Sequence, residues 1–404
     1  MPSCSSRGAL LALILVSGCL HRGATTSLEQ AAVQQQPIAP LPQGVLDAAA
    51  SSLDVSLRLR ALELLCLYAP GEQLEPYAQR GLYDPSIYVR RGVVEALARR
   101  LPDPAAQDIL VALLERGEVD AYTRGRAGFL LAQAGVAEAR EPMSKAWREA
   151  GSSWDVAPLA LAALMAGDEA AEAALAEALR DGSMPLETEF FVAVGQTGRE
   201  QLAPALIEAR DLLEEELLLP VGVALLELGL AEGEAVFRST FADGDVLFQL
   251  EAIDYLAQLD GPRAQALIRK ARNGGPAIVQ TYADLVLVGR GDLPLSRAVD
   301  AADVRDREQQ CLALDAMAGH MQAVPTDEVP RRQARAARDA ALAAMLSPEP
   351  VVRSCAARAL SGVGIPADRA DISALIAELS DEAPAEAQRL ELAAALMAIQ
   401  RRAP

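Results

Sequence analysis

The segment that begins at Asp84, DPSIYVRRGVVEAL, and the segment that begins at Ser347, SPEPVVRSCAARAL, follow one pattern. Pro85 matches Pro348, Val89-Arg90 matches Val352-Arg353, and Ala96-Leu97 matches Ala359-Leu360. This repetition constrains the fold more than any other feature of the chain. A short repeated unit has no interior of its own, so its apolar stripe must be covered by the unit before it and the unit after it.

Weaker copies run from about residue 45 to the C-terminus. Helical stripes are expected over residues 57–62, 89–101, 124–131, 157–165, 189–195, 218–228, 248–259, 279–288, 309–317, 352–360 and 390–399. Partner helices are expected between them, at 105–116, 169–180, 201–213 and 372–379 among others. Ile109, Leu110, Leu113 and Leu114 show the three-to-four-residue apolar spacing of such a helix. Gly135, Gly167, Gly198 and Gly229 close successive units at a separation near 31 residues. Glycine suits that place because a left-handed C-cap costs it nothing. The prolines stop one helix and open the next. Hydrophobic residues make up 51% and aromatics 4%, so the apolar content is mostly Ala and Leu, which favours helix over sheet. Lysine occurs only at Lys145 and Lys270, and the abundance of Arg and Ala reads mainly as coding bias.

An Asp-Pro turn, Val-Arg at the start of the next helix and Ala-Leu in its core stripe resemble the HEAT repeat of the bacterial type also called PBS-lyase HEAT-like. The resemblance is sharp at 84–101 and 347–364, weaker near 122–135, and extends over about 360 residues as a helix-pair period. It implies an all-α fold, an α-solenoid of helix pairs over residues 45–404 wound into a right-handed superhelix. It also implies that the arginine at the mouth of the second helix, Arg90 or Arg353, bridges turns between repeats. Asp84 is the candidate partner of Arg90 or Arg91; in the C-terminal copy Ser347 stands where that acid would be. The stretch GHMQAVPTDEVPRR from Gly319, which contains His320, reads as a longer connection and as a kink or boundary at 319–333.

The first residues belong to targeting. Arg7 precedes a run of about ten apolar residues, too short to cross a bilayer as a helix but suited to a signal-peptide core. Val16-Ser17-Gly18-Cys19 then resembles a bacterial lipobox, which implies a signal peptide over 1–18 and lipid attachment at Cys19. Two or more acyl chains anchor firmly, since each buried CH₂ contributes about 0.8 kcal/mol. Leu20, not Asp, follows the cysteine, which by the usual sorting rule favours the outer membrane. Residues 19–44, with Gln34-Gln35-Gln36-Pro37 and Pro40-Leu41-Pro42, read as a polar tether. Cys66, Cys311 and Cys355 lie far apart in apolar stripes and read as small buried hydrophobes.

No catalytic set stands out. The two histidines are His21 and His320, and the chain has no HExxH, GxSxG, P-loop or dinucleotide fingerprint. The His-Glu pairs of HEAT-like metal hydroxylases are missing, so neither metal nor cofactor is expected. A net charge of −19 opposes nucleic-acid binding. Between Asp168 and Asp260 stand 21 acidic and four basic residues. Glu187, Glu189, Glu214, Glu215, Glu216 and Glu251 fall on second helices or their opening turns. If second helices line a concave face, as in HEAT solenoids, these six form a dock for a partner with a basic or extended segment. The alternative for these acids is a solvated surface that keeps the protein dispersed. The expected function is therefore a non-enzymatic, membrane-tethered scaffold in the bacterial envelope that binds another protein. The alternative is an envelope enzyme or accessory subunit of bilin-lyase-like ancestry, with acids converging near Asp303, Asp306 and Glu308.

Overall fold

The computed structural model describes residues 43–150, 157–181, 188–210, 217–304, 306–325, 327–378 and 383–402. The expected signal peptide, Cys19 and most of the stretch read as a tether lie outside them. Every regular element among the described residues is helical. The chain forms two compact units, one over Gly44–Val236 and one from Phe237 onward.

The first unit holds α1 (Gln43–Ala49), α2 (Val55–Tyr68), α3 (Gly71–Leu82), α4 (Ile87–Ala98), α5 (Pro104–Leu114), α6 (Ala121–Gln133), α7 (Arg140–Ala150), α8 (Ala157–Ala166), α9 (Glu169–Asp181), α10 (Thr188–Gln196), α11 (Ala203–Arg210) and α12 (Leu218–Glu227). Even helices pack on even helices, α2 on α4, α4 on α6, α6 on α8 and α10 on α12. Odd helices pack on odd ones, α3 on α5 and α9 on α11, and α3 with α4, α5 with α6, α7 with α8 and α11 with α12 pack across the two rows. Every stripe expected of a second helix within this unit falls on an even helix, and every partner stripe on an odd one.

Local chemistry sets these elements. Asp54, Asp103 and Asp120 cap α2, α5 and α6 by accepting from backbone N–H groups of the first turn. Each capped donor would otherwise lack a partner. Pro104 sits at the start of α5, where its missing N–H is harmless. Alpha8 is apolar all round, and Leu159 to Leu164 are buried, as expected of a helix covered on every side. Phe129, Leu161, Leu175, Leu179, Phe191, Leu206 and Leu225 join one core between the rows.

The second unit begins within α13 (Ala231–Asp243) and continues with α14 (Val246–Ala257), α15 (Pro262–Gly274), α16 (Ala277–Gly289), α17 (Ser296–Ala302), α18 (Arg307–Ala323), α19 (Arg331–Ala344), α20 (Pro350–Val363), α21 (Arg369–Glu378) and α22 (Ala383–Arg402). Again α14, α16, α18, α20 and α22 stack in sequence, and α17 packs on α19. Leu285, Leu314, Met317, Leu360, Ile372, Leu392 and Ile399 share its core.

Small residues let the stacked helices approach. A Cβ on Gly125 of α6 would lie 2.4 Å from the Pro158 backbone in α8. Gly195 meets Ala224 in the same way, Gly319 meets Gly289, and Gly362 meets Ala318. Some of the Ala content read as coding bias thus sits at close helix contacts. The four glycines expected to close units have positive φ, and Gly261 and Gly291 extend the series with separations of 30 to 32 residues.

Two expectations need correction. Alpha18 runs on to Ala323, so His320 is a buried helix residue and the connection shrinks to 324–330. The helices on either side belong to one unit, and the division between units falls instead inside α13. Cys311 and Cys355 are bonded to each other, with Cα atoms 5.3 Å apart; Cys66 alone of the three is the buried free thiol expected. The 3.6-residue stripe places both cysteines on stacked faces of α18 and α20, a pairing that their separation of 44 residues conceals.

Candidate functional site

Within each unit, recurring polar bonds lie at the opening and closing ends of the even helices. At the opening edge, the fourth residue of α2, α4 and α20 is an arginine with one recurring set of bonds. Arg58 donates through Nη1 to the Ser52 and Leu53 carbonyls at 2.8 and 3.1 Å, and through Nε and Nη2 to the Asp84 carboxylate at 2.9 and 3.0 Å. Arg90 donates through Nη1 to the Asp84 and Pro85 carbonyls at 2.7 and 3.1 Å, and through Nε to Asp120 Oδ2 at 2.7 Å. Arg353 donates through Nη1 to the Ser347 and Pro348 carbonyls at 2.8 and 3.0 Å, and through Nε to Gln388 Oε1 at 3.1 Å. Each guanidinium ties the turn before its own helix to the next repeat.

Asp84, Arg90 and Arg353, read in the sequence as links between repeats, each bond beyond their own helix pair, and the carboxylate met by Arg90 is not that of Asp84. The Asp84 carboxylate is taken by Arg58 of the preceding pair, and Arg90 meets only the Asp84 carbonyl before reaching forward to Asp120. Arg91 stacks over the Tyr122 ring, 3.5 Å from its centroid. Burial pushes the Asp84 carboxyl up, but Arg58 and the Ser86 N–H more than offset this and hold it below the usual carboxylate range. Asp120 is likewise held low, against burial, by Thr123 and Arg90. In α14 and α16 a glutamine fills the arginine's place: Gln249 donates to the Gly244 carbonyl at 2.8 Å and Gln280 to the Gly275 carbonyl at 2.7 Å. The position within the repeat was the available signal for these glutamines, and their uncharged side chains hid it.

At the closing edge a cation from one repeat caps the helix before it. Arg100 donates to the Cys66 and Ala69 carbonyls at 3.0 and 2.6 Å, Arg199 to Leu164 at 3.2 Å, and Arg290 to Leu259 at 2.8 Å. His320 Nδ1 lies 2.8 Å from the Val288 carbonyl. The last carbonyls of a helix have no partner inside it and carry its negative dipole end, so positive or donating groups are stabilised there.

The proposed acidic dock divides differently. Glu187, Glu214, Glu215 and Glu216 lie outside the described residues, as does the side chain of Glu189, although α10 includes it. Among the acids of 168–260 whose side chains are described, Glu227, Glu251 and Asp254 stand on even helices. Glu169, Glu177 and Glu208 are exposed on odd helices instead. The reason lies in the sequence of the even row: α8 carries no charged residue, and α12 carries only its terminal Glu227.

Glu251 is half-buried on α14, near Asp254. Desolvation, helped by the negative Glu251, raises the Asp254 carboxyl to about 6 against a hydrogen bond donated by Tyr282 of α16. Sequence reasoning passed over Asp254, which no motif marks. The acids of the enzymatic alternative do not converge. Asp300 and Asp303 are exposed on the wall of an open depression of about 610 Å³ between α17, α18 and α19. Asp306 caps α18 by accepting from the Gln309 N–H at 2.8 Å, and Glu308 is exposed. No described helix is long and apolar enough to cross a membrane. Among the described residues no three His, Cys, Asp or Glu side chains come together in a metal-binding group. No protein-family model matches the chain, and no curated protein matches its sequence.

Proposed function

We propose that this chain is a HEAT-like α-solenoid scaffold, wound into a right-handed superhelix, tethered to the bacterial envelope through Cys19 and built to bind another protein. The observation that carries the reading is the pair of ladders along the even row. Polar side chains are spent on fastening one repeat to the next, as in a protein whose product is an extended surface. The bonded pair Cys311–Cys355 supports residence in an oxidising compartment, where such bonds persist. That agrees with the signal peptide and lipobox read at the N-terminus. The partner is a protein with a basic or extended segment, held by the acid-rich stretch that contains Glu187, Glu189, Glu214, Glu215, Glu216 and Glu251. Nucleic acid is disfavoured by the negative charge.

The test is affinity capture of the tagged protein from membranes. Palmitate labels the wild type and not Cys19→Ala, and captured protein is released by salt. Alanine at Glu214, Glu215 and Glu216 weakens capture at low salt. Capture unaffected by salt and by the triple substitution removes the acidic dock; labelling that persists in Cys19→Ala removes the anchor.

A further inference from the structure

The two sulfurs of the Cys311–Cys355 bond occupy unlike surroundings. Cys355 is 3% exposed, and Arg358 Nη2 lies 3.3 Å from its Sγ. The same guanidinium pairs with Asp315, Nε to Oδ1 at 3.3 Å and Nη2 to Oδ2 at 3.2 Å. Cys311 is half-buried in the first turns of α18, with its Sγ 3.7 Å from the carbonyl of Val351, a residue that is itself exposed at the mouth of α20. Cys311 is the more exposed residue of the two, and the Cys355 sulfur sits against a guanidinium that Asp315 holds in place.

We propose that this is an exchangeable disulfide whose substrate is a small thiol. The incoming thiolate attacks Cys311 Sγ. A mixed disulfide forms there, the Cys311–Cys355 bond breaks, and the electron pair leaves on Cys355 Sγ as a thiolate facing Arg358. A second thiolate then attacks the outer sulfur of the mixed disulfide and releases Cys311 as its own thiolate. Two thiols are oxidised to one disulfide, the protein bond is reduced by the same two electrons, and the new thiolates take protons from water. A leaving sulfur departs faster when its thiolate is stabilised, and a neighbouring guanidinium stabilises a thiolate. The direction of attack is thus fixed: Cys311 receives and Cys355 leaves. Reduction removes the covalent tie between α18 and α20 and leaves packing alone to hold them, so the thiol acts on the stability of the second unit.

The experiment exposes the native full-length protein to reduced glutathione, quenches with acid and iodoacetamide at short times, and maps the products on peptides. Glutathione is expected on Cys311 and the alkyl group on Cys355. Arg358→Leu slows the first step by about threefold or more, and Arg358→Lys restores most of the rate. Amide exchange of residues 350–363, followed in parallel, reports whether the helices open. Glutathione found first on Cys355, or reduction no faster than that opening, overturns the proposal. If Arg358→Leu fails to fold, the wild-type adduct map decides alone.

Discussion

Arginine at the mouth of an even helix performs a task that lysine cannot. One planar guanidinium supplies two donors to a carboxylate while a third reaches the turn carbonyls. The Arg58 and Asp84 side chains are 14% and 7% exposed, so the pair is screened little by solvent. Arg58→Ala leaves a buried carboxylate without its cation and is expected to cost about 3 kcal/mol. Arg58→Lys keeps the charge, loses the fork, and recovers less than half of that. Urea unfolding followed by tryptophan fluorescence checks both, because Trp147 packs against the core of the unit that contains the clamp. Asp84 and Asp120 are held below the usual carboxylate range, so their contribution is complete at neutral pH and is lost as pH falls through their lowered values. Asp254 behaves in the opposite sense. Its folded form keeps a proton up to about pH 6, so folding is favoured below the ordinary carboxylate value and stability declines as pH rises from there to 6. Asp254→Asn keeps an acceptor for Tyr282 and removes the charge. It is expected to raise Tm at pH 7.5 and to change it little at pH 4; equal shifts at both values would show that desolvation of the charge is not the cause.

The helices were the most legible part of the sequence, because periodicity and punctuation agreed. Helix-opening prolines and glycine closures marked boundaries by local chemistry, while the structure adds the Asp caps and carries some helices well past their expected stripes, α18 as far as Ala323. The carboxylate partner of Arg90 was less legible: Asp84 is the near acid in sequence, but Arg58 of the preceding pair takes its carboxylate, and Arg90 reaches forward to Asp120. Two glycines that look alike in sequence act by different means. Gly135 has φ of +74° with open space around it, so Gly135→Ala costs about 1 kcal/mol through backbone strain. Gly125 lies in a helix, where alanine is the better former, yet its Cβ would meet the α8 backbone. Gly125→Ala is therefore expected to cost more, about 1–3 kcal/mol, by forcing α6 and α8 apart. Thermal unfolding orders the two; a larger loss at Gly135 would show that helix approach does not limit the packing. Between α18 and α20 the covalent bond supplements packing by closing a loop of 44 residues, worth about 4 kcal/mol if it acts through chain entropy.

Across the whole chain, sequence reasoning reached the architecture further than the site. Repetition marks what every unit shares, which is packing and fastening. Whatever sets one unit apart appears as a departure from the pattern, and Asp254, Gln388 and the bonded cysteines each look ordinary until their neighbours are known. The ladder bonds described above reach between 26 and 35 residues along the chain. Such a chain can set as it is delivered. Each length that emerges from a ribosome finds its fastening points within the next few dozen residues and need not wait for the rest to arrive.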